Sequence, residues 1–251
     1  MRKAKGFWIG LTVALFVAGI GVMVMTLRLR NSAGSKQKEP GANVATNSAT
    51  VNNSGSAVAR EPDEIAADLI TDANQDLAAG RAGQAVEKLR KAVEVTPDNE
   101  DAYYNLGIAL AAAGNAGEAQ QAYEKALEIF PDYAEAHNNL GNLLMKQNMF
   151  GDATAHFKKA LEISPDNPMA ENNLGTALAR QGEVAEALPH FSAAVRQKPD
   201  YLQARLNLAN GYITLNRLDE AAQELNTILQ TDPNYEPAQK ALARLRIRAP
   251  R

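Results

Sequence analysis

Asn105, Asn139, Asn173 and Asn207 follow one another at intervals of 34 residues. A carboxamide offers donors and acceptors together, so a row of them can pair with the N–H and C=O groups of an extended backbone whatever its side chains. Asn142 and Asn210 fall three residues after members of that row, Asn74 holds the same place one period ahead of it, and Asn138 and Asn172 fall one residue before members. Tyr104 holds the matching place in an earlier stretch. Other chemistry is sparse. The chain has no Cys, and no HExxH, GxSxG or phosphate-cradling glycine loop occurs. His156 and His190 are also 34 residues apart, so repetition accounts for their spacing better than a metal pair does. His137 is read as a packing residue. The expected function is therefore binding rather than catalysis, with no cofactor and no metal.

The elements that position these residues are set by the same period. Pro97, Pro131, Pro165, Pro199 and Pro233 are each 34 residues apart, the mark of one copied supersecondary unit whose copies stack to share a core. With each proline as position 32, the units run 66–99, 100–133, 134–167, 168–201 and 202–235. Position 20 is Ala in all five units, and position 8 is Ala or Gly. Position 24 is Leu89, Tyr123, Phe157, Phe191 or Leu225. Positions 4, 7, 8 and 11 share one face of a first helix, and 20, 24, 27 and 28 share one face of a second. Small residues at 8 and 20 let the two backbones approach, and large ones at 24 fill the flanks. Gly80, Gly114, Asn148, Gly182 and Asn216 at position 15 suit the left-handed residue that ends a helix. The Asp or Asn after each proline suits a turn or an N-cap. Residues 236–248 read as a capping helix, with Ala238, Leu242 and Leu245 spaced to cover the last unit. Pro189 inside a second helix suggests a mild kink.

The strings YYNLG, HNNLG and AYEKALEIFPDYAEA, with the small residue at 20 and the proline at 32, resemble the tetratricopeptide repeat over roughly residues 66–235. The resemblance implies an all-α, right-handed solenoid of helix-turn-helix units whose first helices line a concave groove. The positions able to bind on that surface are 2, 5, 6, 9, 12 and 13, and the resemblance implies that the asparagines at 5, 6 and 9 among them grip an extended peptide. The alternative, that Asn at position 6 only stabilises the helix pair, stands beside it. Position 4, often Trp in the family, is Leu69, Tyr103, His137, Glu171 and Arg205 here, and Asp72 and Asp76 make the first unit degenerate. A family clamp of Lys, Arg and Asn for a terminal carboxylate is incomplete: Lys146 and Arg180 are the basic candidates within the groove, with Arg205 near its rim.

Ahead of the repeats, residues 6–27 contain no charge, and at 1.5 Å per residue they reach roughly 33 Å, enough for a membrane span. Residues 1–5 form a basic tail, and residues 28–60, rich in Asn, Ser, Ala, Thr and Gly, read as a flexible tether. The span is expected to be an uncleaved single-pass anchor with the repeats extracytoplasmic, although basic residues flank both sides. Gly6, Gly10, Ala14 and Ala18 line one face of it and suggest a homodimer through close helix contact. Residues 1–60 carry 8 Lys+Arg against 1 Asp+Glu, and residues 61–235 carry 13 against 27, so the repeats are acidic and nucleic acid is not an expected partner. The expected role is a membrane-anchored, non-enzymatic scaffold that binds a protein or peptide in assembling an envelope complex. The alternatives are a substrate-recruiting subunit of a protein glycosyltransferase-like system, or an oligomerising membrane protein acting through its anchor.

Overall fold

The computed structural model describes residues 60–248, with side chains as far as Leu245. The basic tail, the expected span with Gly6, Gly10, Ala14 and Ala18, and nearly all of the tether lie outside the described residues. Among those described, no helix is long and apolar enough to cross a membrane.

The described chain is all helix and turn. The first helices are α1 (Pro62–Ala78), α3 (Glu100–Ala112), α5 (Ala134–Lys146), α7 (Pro168–Arg180) and α9 (Leu202–Thr214). The second helices are α2 (Ala82–Val95), α4 (Ala116–Ile129), α6 (Phe150–Ile163), α8 (Val184–Gln197) and α10 (Leu218–Thr231), and α11 (Glu236–Arg248) follows. Each helix packs on the next, and each first helix also touches the first helix of the following unit, α1 on α3 through α7 on α9. The result is a helical solenoid of tetratricopeptide type, with the first helices along one face.

Local chemistry fixes the ends. The residues with positive φ are Gly80 (74°), Gly114 (85°), Asn148 (61°), Gly182 (89°) and Asn216 (58°), all at position 15. The next residue then donates its N–H back to position 11: Asn115 to Leu110, Met149 to Leu144 and Glu183 to Leu178 at 2.9 Å, and Arg217 to Tyr212 at 2.8 Å. This is the six-to-one bond that closes a helix on a left-handed residue. Capping at the other end falls one residue later than the Asp after each proline. Asn99 Oδ1 accepts from Ala102 N at 2.8 Å, and Asn167 Oδ1 accepts from Ala170 N at 3.0 Å, both at position 34. In the other units position 34 is Tyr133, Tyr201 or Tyr235, and no side chain caps α5 or α9. Pro189 sits inside α8, which continues as one helix through it.

Between the helices of each pair, the five alanines at position 20 have no solvent exposure. Asp76, where later units carry Leu or Tyr, is kept by charge: Arg81 and Lys88 nitrogens both lie 2.7 Å from its carboxylate. The bonds to Lys88 and Arg81 hold that carboxyl below its ordinary pKa.

Candidate functional site

The exposed stripe of each first helix runs through positions 2, 9 and 13, all near one angular direction. Asn142 is half-buried and Asn210 exposed on this stripe. Lys146 and Arg180 are exposed at its far end, and the Arg180 guanidinium stands 5.2 Å from the centre of the Phe150 ring.

The other asparagines differ from expectation. Asn105 is only 2% exposed and Tyr104 only 4%. Asn138 and Asn172 are also buried, so position 5 is not open groove surface. The reason is the approach of neighbouring first helices, which brings position 5 of one unit against position 6 of the next. Asn139 Nδ2 donates to Tyr104 Oη at 3.1 Å, Asn173 Nδ2 to Asn138 Oδ1 at 3.1 Å, and Asn207 Nδ2 to Asn172 Oδ1 at 2.8 Å. Asn105 instead donates to the Asp101 carbonyl one turn back, at 2.7 Å. The amides form rungs between units, each 35 residues apart in sequence. Asn139, Asn173 and Asn207 keep partial exposure, so these rungs floor the face that positions 2, 9 and 13 rim.

Aromatic packing adds to one end of that floor. The Tyr104 ring lies 4.7 Å from that of Tyr133, whose hydroxyl donates to Asp101 Oδ1 at 2.6 Å. Burial first, then the Asp101 bond, raises the Tyr133 pKa, so it stays a neutral donor. The Phe130 ring, partly exposed, lies 5.9 Å from that of Tyr133 and is tilted by 55° to it.

A set of contacts absent from the sequence reading joins position 4 to position 23 within a unit. His137 Nδ1 is 2.9 Å from His156 Nδ1, His190 Nδ1 is 2.7 Å from Glu171 Oε2, and Arg205 Nη1 is 2.5 Å from Glu224 Oε2. His137 is thus a half-buried hydrogen-bonding residue rather than a packing one. Arg205 is taken up here too, and it also donates to the Pro199 carbonyl at 3.2 Å, so it does not belong to the groove. The signal was available: polar residues at positions 4 and 23 are matched in units three, four and five. Among the described residues no group of three or more His, Cys, Asp or Glu is placed to hold a metal ion.

Models of the tetratricopeptide repeat match residues 73–114, 98–166 and 178–245. No curated protein matches the chain in sequence. Solved structures do. The TPR protein YrrB, described as having an unusual peptide-binding site, is 26% identical, with a TM-score of 0.61 over 71% of this chain and 92% of its own. PilF of Pseudomonas aeruginosa is 24% identical, with a TM-score of 0.63 over 68% of this chain and 78% of its own. A MamA fragment from Desulfovibrio magneticus RS-1 is 19% identical, with a TM-score of 0.63 over 68% and 97%. The last two bear on the fold alone. With the 34-residue period, the helix pairs and the matched segments in agreement, the repeats of this chain are tetratricopeptide repeats, the helical scaffold of proteins that bind protein or peptide partners.

Proposed function

We propose that the chain is a non-enzymatic adaptor that binds an extended protein segment along the first-helix face. The observation that carries this reading is the continuous floor of amide rungs from Tyr104–Asn139 to Asn172–Asn207. Each rung uses the amide N–H of its partly exposed asparagine; Asn139 and Asn173 keep an oxygen for a backbone N–H, while the Asn207 oxygen already accepts from Gln203 Nε2 at 3.0 Å. Asn142 and Asn210 add whole carboxamides on the same face. Similarity to YrrB, itself described by a peptide-binding site, supports the reading. So does the absence of any catalytic signature in the sequence.

The adaptor is held at a membrane by residues 6–27, with the repeats on the extracytoplasmic side, and serves the assembly of an envelope complex. That part rests on 22 consecutive uncharged residues between basic flanks.

Photo-crosslinking from the full-length protein in its cell tests the groove. A crosslinking side chain at Asn142 is expected to capture another protein, while one at the exposed Lys158 on α6 is not. Equal capture from both positions, or capture from Lys158 alone, removes the first-helix face from the function.

A further inference from the structure

We infer that the first-helix face takes an extended segment bearing a basic and an acidic side chain about three residues apart, one toward each rim of the groove. This deepens the groove reading above and rests on it. Across positions 2, 5, 6, 9, 12 and 13 of the five first helices only four residues are charged: Asp101, Glu135, Lys146 and Arg180. The floor is neutral although the repeats as a whole are rich in charge. The four are sorted by sign. Asp101 and Glu135 stand at position 2, near the starts of α3 and α5, and Lys146 and Arg180 stand at position 13, near the ends of α5 and α7.

All four are exposed, and among the described residues none has an ion-pair partner. Positions 2 and 13 are separated by roughly 16 Å along a helix, so the rims do not neutralise each other. Along the array the acids belong to units two and three and the bases to units three and four, so the two pairs overlap in unit three and are offset by one unit.

That offset sets the spacing of the ligand. Neighbouring first helices in contact lie about 10 Å apart, which an extended chain covers in about three residues. Alternate residues of an extended chain point to opposite sides, so two residues an odd number apart face opposite rims. A Lys or Arg directed at Asp101 and Glu135 therefore sits about three residues from an Asp or Glu directed at Lys146 and Arg180. A segment with two like charges meets one rim of its own sign. Acids near helix starts and bases near helix ends also complement the helix dipoles, but that role would act on stability and not on ligand choice.

The test uses full-length protein in detergent and short fluorescein-labelled Ser/Ala peptides. These carry Lys and Glu three residues apart in either order, two Lys, two Glu, or no charge. One of the two mixed orders is expected to bind at least about five-fold tighter than every other peptide, as exposed ion pairs of this kind allow. The order that wins reports the direction of the segment in the groove. In the variant D101K/E135K/K146E/R180E the preferred order is expected to invert. Binding that ignores charge overturns this inference and leaves the amide groove standing. A variant that melts at lower temperature yet keeps the original order assigns the four charges to the helix dipoles and overturns it too. No binding by any peptide up to about 1 mM removes both the charge pattern and the groove.

Discussion

A methyl group placed on Gly141 would lie 2.6 Å from the Phe157 ring, and one on Gly107 would lie 2.6 Å from that of Tyr123. On Gly175 it would lie 2.8 Å from Phe191. The units that carry Ala at position 8, Ala73 and Ala209, carry Leu89 and Leu225 at position 24. Glycine at 8 thus accompanies an aromatic ring laid on the backbone, and alanine accompanies a narrower side chain. Gly141→Ala is expected to destabilise by about 1–3 kcal/mol, because the overpacking outweighs the better helix propensity of Ala. Gly141→Ala with Phe157→Leu is expected to recover much of that loss relative to the two single changes added together. Urea melts of the four proteins check this, and strictly additive effects would show that the pair does not touch. The smallness of positions 8 and 20 was legible in the sequence, since only a tight crossing demands it five times over. The pairing of Gly with aromatic was equally present, sixteen residues apart, but is visible only once both positions face each other. The asparagine rungs were not legible. Periodicity gives the angle of a side chain about its own helix, and the partner that buries Asn138 or Asn172 belongs to the next unit.

At the level of helix pairs, position 4 is where the family often places Trp, and units three to five hold matched polar pairs there instead. The most constrained is between α5 and α6. His137 Nε2 lies 3.0 Å from the Pro131 carbonyl, which can only accept, so it carries the proton and leaves Nδ1 to accept from His156 Nδ1–H. A proton added to His137 Nδ1 would point at another N–H. Burial lowers the pKa of both rings. Lys159 also lowers that of His137, against the Pro131 bond, Asp132 and Glu162; His137 lowers that of His156, against Asp152 and Glu124. The folded pair then binds fewer protons than the unfolded chain. Its contribution to stability is whole above the ordinary histidine value of about 6.5 and is lost as pH falls through the lower folded values. The urea midpoint is expected to drop between about pH 7.5 and 5. His156→Gln, which keeps an N–H donor and removes one titration, should shallow that drop. An equal drop in the variant would show that His156 does not carry the pH dependence.

Over the described repeat array, the apolar core is two large clusters and a small third one of Ala66, Ala92 and Ala102, rather than one continuous seam. The larger extends from Ala73 to Leu208, and the second joins Leu206, Ala209, Leu225 and Ile228 to Ala238, Leu242 and Leu245 of α11. The capping role of α11 followed from its apolar spacing, because a solenoid cannot leave its last helix uncovered. The division of the core did not, since it depends on side-chain contact across α8, α9 and α10. In a solenoid each unit is held by its neighbours, so the end units open first and their stability is a nearest-neighbour sum. Removing residues 236–251 would expose the face made by Leu225 and Ile228 and delete two buried leucines, each contributing about 1.5–3 kcal/mol. That is enough to unfold α9 and α10 locally, with the larger cluster losing only Leu208 at its end. Hydrogen exchange on the truncated protein is expected to show lost protection in α9 and α10, with α3 to α6 unchanged. Protection lost evenly across all units would mean that the array unfolds as one cooperative body. Protection kept in α9 and α10 would mean that α11 is not what stabilises the last unit.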